Sequence, residues 1–217
     1  MMKVIDVPNV GDNGEDLHTL GLLLNKQPLR LIDNSPWPEY KTTAKAGFSI
    51  AHNGNSILIR YEVEEKELKS VSRDYNQNVH KDNCVEFFIS FGTNGVAYYN
   101  IELNCLGSLK IGYGVGRGKR LPIAAEFLDQ VRINTSINYT RDNGSNVVKW
   151  QLLLSIPATV FSEDNITSFN GVNCKANFYK CGDGLPDPHF LCWNRIEVES
   201  PDFHRPEYFG QLNFLSK

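Results

Sequence analysis

Two runs of alternating apolar and polar residues flank Asn53-Gly54-Asn55, and this pattern strongly constrains the fold. The runs are GFSIAH at 47–52 and ILIRYEV at 57–63. An Asn-Gly turn between alternating runs predicts a β-hairpin, because these residues adopt the backbone angles that a tight hairpin turn requires. From this point on, the chain is expected to form antiparallel sheet.

Further strand-like runs follow along the chain. CVEFFISF at 84–91 and YYNIELNC at 98–105 predict a second hairpin, and 131–139 with 147–156 predict a third around Asp142-Asn143-Gly144. Shorter runs lie at 109–113, 174–181, 189–193 and 210–214, with short helices expected at 20–24 and 124–128. No long helical period occurs. About ten strands with frequent turns predict an all-β fold, an antiparallel jelly-roll-like β-sandwich with one or two short helices.

The 217 residues fit a single domain, 1–217, in which we interpret residues 1–45 as an N-terminal extension that packs on the sandwich. The five cysteines are an odd number and most of them sit in apolar runs, which favours buried thiols over disulfides. The polar N-terminus lacks the apolar core of a secretory signal. These features predict a cytoplasmic protein, or a periplasmic or secreted one if a leader was removed.

Charge and hydropathy exclude two classes of partner. The net charge is −3 with 22% charged residues, unlike the basic footprint of a nucleic-acid binder. No apolar run approaches the roughly 20 residues of a membrane-spanning helix. We therefore expect neither a nucleic-acid partner nor a membrane partner, and the oligomeric state is left open.

Two motifs that would indicate a cofactor or metal fail on spacing. The run GYGVGRGKR at 112–120 matches neither the dinucleotide-binding nor the P-loop pattern, so we interpret it as a flexible loop with a cationic tip. Cys181, His189, Cys192 and His204 do not follow zinc-site spacing. We expect no cofactor and no metal ligands, although the oxygen-rich turns leave a structural Ca²⁺ open through Asp183, Asp187, Asp202 and Glu207.

The segments NFYKCGDGLPDPHFLCW at 177–193 and PDFHRPEYFG at 201–210 carry the side chains best suited to a polyhydroxylated ligand. Gly, Pro and Asp residues predict a stiff loop between two strands. Aromatic rings can pack on the apolar face of a sugar, while charged groups bind its hydroxyls. Trp193 also has a core interpretation, because a period of two places His189, Leu191 and Trp193 on one face.

Glu86 and Glu102 interrupt two otherwise apolar strands. A carboxylate pair would permit glycoside hydrolysis if one pKa were raised and the separation were roughly 5–5.5 or 6.5–9.5 Å. Solvent-facing or ion-paired carboxylates are the alternative interpretation. No nucleophile-elbow motif accompanies them, and the sequence predicts no catalytic residues.

Three segments together resemble the family-9 carbohydrate-binding modules of the DOMON-like β-sandwich group, in a stand-alone bacterial branch. DNCVEFFI at 82–89 resembles the family's D-x-V-E-x-F-I strand, Trp193 closes a strand, and 203–214 resembles the W-x-x-P-x-x-F-G-x-L ending. The resemblance runs from about Phe48 to the C-terminus. Such modules hold a sugar between two tryptophans beside a strand glutamate. Here the glutamate matches Glu86.

The other family positions depart from the pattern. The tryptophans fall at Val79 and Phe203, and a helping arginine falls at Glu102. Tyr75 or His80 would have to supply the missing stacking face. The redox branch of the group binds haem between Met and His, which this chain does not support because its methionines are Met1 and Met2.

The resemblance implies non-catalytic binding of a mono- or oligosaccharide, linked to the use of xylan- or glucan-type polysaccharides. The family is often attached to xylanases, so the resemblance also implies a xylanase-like association. The expected ligand-binding residues are Glu86, Glu102, Tyr179, Asp183, Trp193, Phe203, His204 and Arg205. The alternatives are a glycoside hydrolase that uses Glu86 and Glu102, and a protein-interaction sandwich without a small ligand.

Overall fold

The computed structural model describes residues 2–11, 16–92, 96–118, 120–142 and 144–217. Over these residues the chain forms thirteen strands in two sheets and two α-helices. The predicted all-β sandwich is confirmed. The helices are α1 (Leu17–Asn25) and α2 (Ala125–Leu128).

The larger sheet has the strand order β1-β13-β11-β5-β6-β7-β8, and β12 also pairs with β11. All neighbours are antiparallel except β1 and β13, which are parallel. The strands are β1 (Val4–Val7), β5 (Cys84–Ser90), β6 (Ala97–Asn104), β7 (Leu109–Val115), β8 (Leu121–Pro122), β11 (Asn173–Cys181), β12 (Phe190–Cys192) and β13 (Gly210–Phe214).

The smaller sheet has the order β2-β3-β4-β10-β9 and is antiparallel throughout. Its strands are β2 (Arg30–Leu31), β3 (Lys45–His52), β4 (Ser56–Glu65), β9 (Arg132–Asp142) and β10 (Ser145–Pro157).

The predicted hairpins are present. The turn at Asn53 to Asn55 joins β3 to β4, and Gly54 has a φ of 95°, which glycine adopts without steric cost. Strands β5 and β6 pair, as do β9 and β10. Residues 93–95 and Asn143, which belong to the two predicted turns, lie outside the described residues.

The first 45 residues contribute to both sheets. Strand β1 pairs with the C-terminal β13, and β2 forms an edge beside β3. Between them, α1 begins after Asp16, whose carboxylate accepts hydrogen bonds from the backbone N–H groups of His18 and Thr19. This is the usual role of an aspartate that caps a helix.

The main core lies between the two sheets. Phe48 of β3 stacks on Phe178 of β11 with ring centroids 3.5 Å apart, so aromatic rings from both sheets meet at the centre. On β5, residues Val85, Phe87 and Ile89 point into this core. Because side chains alternate along a strand, Cys84, Glu86 and Phe88 point to the outer face.

Loops cover the outer face of the larger sheet, which therefore does not face water directly. A second cluster of buried side chains forms there, and it includes Trp37, Phe88, Tyr179, Phe203 and Phe209. The covered face explains why β5 is buried along its whole length and reads as a continuous apolar run.

None of the helices in the described part of the chain is long and apolar enough to cross a membrane, and α1 has only 9 residues.

Candidate functional site

The loops over the outer face of the larger sheet leave a cavity of about 250 Å³. Its floor comes from β5, β6 and β7, and its walls come from the loops that contain residues 80, 183 and 201–204. The lining residues are His80, Glu86, Glu102, Lys110, Arg117, Arg120, Asp183, Phe190, Pro201, Asp202, Phe203 and His204.

Glu86 lies on the cavity floor and is 4% exposed. Its Oε1 accepts a hydrogen bond from the thiol of Cys181 at 3.2 Å. No lysine, arginine or histidine forms an ion pair with it among the described residues. Burial, followed by the charge of Glu102, raises the pKa of Glu86 well above its usual range. The protonated, neutral form is therefore favoured.

Glu102 lies directly opposite Glu86, on β6. Lys110 Nζ donates to both of its carboxylate oxygens, at 2.9 and 3.1 Å, and Asn100 Nδ2 donates to Oε1 at 2.6 Å. Burial opposes ionisation, but the His80 ring 3.7 Å away, the Lys110 charge and the hydrogen bonds from Lys110 and Asn100 outweigh it and lower the pKa of Glu102 to about 2. Glu102 is therefore a carboxylate.

Arg120 lines the cavity and holds β6 and β7 together. Its Nε donates to Asn100 Oδ1 at 2.5 Å, and its terminal nitrogens donate to the carbonyl oxygens of Tyr98, Gly112, Gly114 and Gly116. The guanidinium also lies 4.2 Å from the centre of the Tyr98 ring. A Cβ at residue 112 would come within 2.8 Å of Asn100 Oδ1, so glycine is needed there.

The arginine contacts change the interpretation of the glycine-rich run. Part of the run forms strand β7, and Arg120 ties it to β6, while Lys119 lies outside the described residues. Arg117 is exposed, lines the cavity and forms no ion pair with the described residues. The two arginines of the expected cationic tip therefore have different roles. Arg120 holds the strands together, and Arg117 lies at the cavity rim, where a ligand can contact it.

Two phenylalanines form the aromatic wall. Phe203 is 8% exposed, and its ring stacks on Tyr179 at a centroid distance of 4.2 Å. Phe190 is half-buried and stands nearly perpendicular to Phe203, at 5.9 Å. Because Tyr179 covers one face of Phe203, the more accessible ring of the wall is Phe190.

His204 closes the cavity next to the aromatic wall. Its Nδ1 forms a hydrogen bond with the Tyr98 hydroxyl at 2.8 Å. Burial, followed by the nearby Arg120 charge, lowers the pKa of His204 to about 4, so the ring is neutral near pH 7. Nε2 has no hydrogen-bond partner among the described residues and is available to a ligand.

Asp183 lies on the rim, on the loop that joins β11 to β12. Its backbone N–H donates to the His80 carbonyl oxygen at 3.0 Å, which places the two residues side by side. The Asp183 side chain is exposed. The loop thus brings a carboxylate to the mouth of the cavity.

The structure corrects three of the expected contacts. Trp193 is 3% exposed and packs edge-on against Phe48 and Phe178 in the main core, as its core interpretation predicts. Tyr179 is fully buried beneath Phe203. Arg205 forms an ion pair with Asp202 at 2.9 Å and does not line the cavity. Glu86, Glu102, Asp183, Phe203 and His204 do line it.

Of the two residues considered for the missing stacking face, His80 lines the cavity and Tyr75 does not. Tyr75 donates a hydrogen bond to Asp129, whereas Val79 is fully buried. Sequence reasoning missed Lys110 and Arg117 as lining residues, and it also missed Phe190. The signal was present in HFLCW, because the alternation that sends Trp193 into the core sends Phe190 to the opposite face.

The five cysteines are all buried free thiols. The metal-ligating atoms of Cys181, His189 and His204 do not come together. Instead Cys181 lies beside Cys84 and Glu86 under the cavity, and these three are the described residues whose metal-ligating atoms come together. The oxygen-rich turns form no such group within the described ranges, and structural Ca²⁺ stays a prediction.

Comparisons with known proteins agree with this architecture. The family model described as Carbohydrate-binding family 9 matches residues 18–214. A solved structure from Bacteroides uniformis ATCC 8492, of a candidate carbohydrate-binding protein, is 34% identical with a TM-score of 0.89 and aligns over 99% of this chain and 100% of that chain. The comparison with curated proteins found no match.

Two more distant structures share the fold. They are a carbohydrate-binding module of family 9 from Caldicellulosiruptor kristjanssonii in complex with glucose and with cellotriose, 13% and 12% identical to this chain. Their TM-scores are 0.53 and 0.55, and the alignments cover 99% of this chain and 97% and 95% of those chains.

Proposed function

Because the chain belongs to carbohydrate-binding family 9, we propose that it binds a saccharide in the cavity on the outer face of the larger sheet. The binding is non-catalytic and serves the use of polysaccharides of the xylan or glucan type by a bacterium. The relatives support this class of ligand, since one is a candidate carbohydrate-binding protein and another was solved with glucose and with cellotriose. The proposed binding unit is the whole chain as one domain.

The observation that carries the proposal is the position of Glu86, which lies buried on the cavity floor without an ion-pair partner among the described residues. A buried carboxyl group without an ion-pair partner among the described residues is costly unless a ligand uses it. In its protonated form it offers one donor and one acceptor, which matches the hydrogen-bonding capacity of a sugar hydroxyl. Glu86 faces the cavity, so a ligand can reach this group.

The rest of the lining supplies the other contacts that a sugar needs. The rings of Phe190 and Phe203 provide an apolar surface for the C–H groups of a pyranose. Neutral His204 offers Nε2, while Asp183 and Arg117 offer charged groups at the mouth. Glu102 and Lys110 satisfy each other, so they contribute a polar floor rather than a free charge.

The size of the cavity limits how much of a saccharide it encloses. Its volume of about 250 Å³ is smaller than the roughly 300–1,000 Å³ of pockets that enclose drug-sized ligands. We therefore propose that one sugar ring occupies the cavity. The remaining units of an oligosaccharide then extend past Asp183 and Arg117 into solvent.

The test is calorimetric titration of the protein with glucose, cellotriose and xylo-oligosaccharides, together with Glu86→Ala. Glu126→Ala is the matched control, because Glu126 is an exposed glutamate outside the cavity. We expect saturable binding of at least one saccharide that Glu86→Ala weakens tenfold or more, about 1.4 kcal/mol, and that the control leaves unchanged. Equal affinity in both variants would remove Glu86 from the site. A negative screen with a co-purifying protein would favour the protein-interaction alternative.

A second candidate function is glycoside hydrolysis, and one observation favours it. Glu86 and Glu102 face each other with their pKa values moved in opposite directions, as in a general acid beside a carboxylate. However, Lys110 and Asn100 occupy the oxygens of Glu102, which leaves it a poor nucleophile or base. Incubation with aryl-glycosides and xylo-oligosaccharides separates the two functions, because turnover that disappears in Glu86→Gln would establish the enzyme.

A further inference from the structure

Cys84, Cys181 and Glu86 form a compact group beneath the saccharide cavity. Cys84 and Cys181 lie directly opposite each other on β5 and β11, and Glu86 is two residues beyond Cys84 on the same face. One ligand atom of each residue, two sulfurs and a carboxylate oxygen, lies within 4.8 Å of the others. All three side chains are buried.

The hydrogen bonds of the three groups are weak. The Cys84 thiol donates to the Val85 carbonyl oxygen at 3.6 Å, and the Cys181 thiol donates to Glu86 Oε1 at 3.2 Å and to the His80 carbonyl oxygen at 3.9 Å. Thiols are poor donors. The second oxygen of Glu86 has no hydrogen-bond partner among the described residues. Little bonding would therefore be lost if the three groups turned to a common ligand.

The spacing suits a tetrahedral metal ion. Metal–sulfur bonds of about 2.3 Å and metal–oxygen bonds of about 2.0–2.2 Å place tetrahedral ligands roughly 3.5–3.8 Å apart. Atoms that already lie within 4.8 Å reach that separation through shifts on the order of 1 Å. Two thiolates and one carboxylate also supply the negative charge that a buried divalent cation requires.

We propose that Cys84, Cys181 and Glu86 bind a thiophilic divalent metal ion, for which Zn²⁺ is the probe, with the fourth coordination position facing the cavity. Three protein ligands with one open position distinguish such a site from a closed structural zinc site. The metal site does not depend on saccharide binding, and either can exist without the other, but the two sites share Glu86, so a bound metal ion removes the neutral carboxyl group that the saccharide proposal uses.

Loading the site must release protons. Burial raises the pKa of Cys84 to about 11, and the adjacent Cys84 thiol together with burial raises the pKa of Cys181 well above its usual value, so both are thiols in the metal-free protein. Metal ligation requires thiolates. Two Cys S–H bonds and the O–H bond of the protonated Glu86 carboxyl group therefore break as two metal–sulfur bonds and one metal–oxygen bond form, and all three protons pass to the buffer. Neither sulfur changes its oxidation state.

The first experiment measures Zn²⁺ affinity of the reduced, chelator-treated full chain by competition with a chromophoric chelator. We expect one Zn²⁺ per chain. Cys84→Ser and Cys181→Ser should each weaken binding by about 100-fold or more, since even residues that only support a metal ligand contribute 10–100-fold. Cys174→Ala is the matched control: Cys174 is a buried thiol on β11 that packs in the main core, and this variant should keep wild-type affinity.

A second measurement needs no variant and covers the case in which a serine substitution prevents folding. Co²⁺ added to the wild-type protein should give the intense near-ultraviolet absorption of thiolate-to-metal charge transfer and should be displaced by Zn²⁺. Calorimetry in buffers of different ionisation enthalpy should show the release of at least two protons per Zn²⁺. Absence of stoichiometric Zn²⁺ binding, or a Co²⁺ spectrum without thiolate bands, would overturn the proposal.

Discussion

Glu86 and Glu102 face each other across β5 and β6, and Lys110 donates to both carboxylate oxygens of Glu102. This lysine lets Glu102 stay charged, and the charge in turn favours the neutral form of Glu86. Glu102 thus forms an internal ion pair with Lys110, and Glu86 remains free to contact a ligand. The arrangement explains how two acidic residues share a buried floor without two uncompensated charges.

The first prediction concerns the protonation state of Glu86. Glutamine has the shape of the protonated acid and likewise offers a donor and an acceptor. We therefore expect Glu86→Gln to keep saccharide affinity within about threefold, whereas Glu86→Ala loses tenfold or more. Calorimetric titration measures both. If Glu86→Gln were as weak as Glu86→Ala, the sugar would require a charged carboxylate instead.

Substitution of Phe190 and substitution of Phe203 should both lower saccharide affinity but should differ in their effect on stability. Phe190 is half-buried, so Phe190→Ala should lower saccharide affinity by about tenfold while the stability falls only modestly. Phe203 is packed against Tyr179, so Phe203→Ala should in addition lower the free energy of unfolding by about 3–5 kcal/mol. Urea unfolding alongside titration measures both quantities. Equal stability losses in the two variants would show that Phe190 is also a core residue.

A buried ion pair links the two sheets away from the cavity. Lys180 of β11 lies 3.1 Å from Glu65 of β4, and Glu65 also accepts a hydrogen bond from the Trp150 indole. Lys180→Met leaves the Glu65 charge buried without its cation, so we expect a loss of about 3–5 kcal/mol in unfolding free energy by urea titration.

Lys45→Met is the control for this pair. Lys45 forms an ion pair of similar length, 2.9 Å, with Glu64, but it is exposed and should contribute less than about 1 kcal/mol. Similar losses in Lys45→Met and Lys180→Met would contradict the assigned role of burial.

The free energy of unfolding should decrease in mild acid, in part because the fold lowers the pKa of His189. Its Nε2 lies 3.0 Å from Lys180 Nζ, Nδ1 lies 3.0 Å from the Asp187 carbonyl oxygen, and Glu65 faces the ring at 3.9 Å. Burial, followed by the Lys180 charge, lowers the pKa of His189 from 6.5 to about 4. Between these values the unfolded chain binds more protons than the folded chain, so the unfolding free energy decreases as the pH falls.

His189→Gln removes this titration and keeps an oxygen that can accept from Lys180. Urea midpoints measured from about pH 7 to about pH 4.5 should therefore show a shallower decline in the variant. His204, whose pKa is also lowered to about 4, retains its own contribution in both proteins. Identical slopes would mean that His189 is not held neutral by the fold.

Local pattern predicted most of the sheet, because Asn-Gly turns and alternating runs act over a few residues. Strand β1 escaped prediction, since the four residues Val4–Val7 become a strand only by pairing with β13, two hundred residues away. At the site, the sequence identified Glu86 and Phe203 as cavity residues. It assigned Tyr179 to the ligand although the loop that carries Phe203 covers it, and such cover depends on tertiary packing rather than on local sequence.

The most direct measurement is a crystal structure of the protein with a bound saccharide. We predict one sugar ring in the cavity, with a hydroxyl group within hydrogen-bond distance of Glu86 and the C–H face of the ring against Phe190 and Phe203. A saccharide bound on the outer face of the smaller sheet, or anywhere beyond the reach of Glu86, would contradict this assignment.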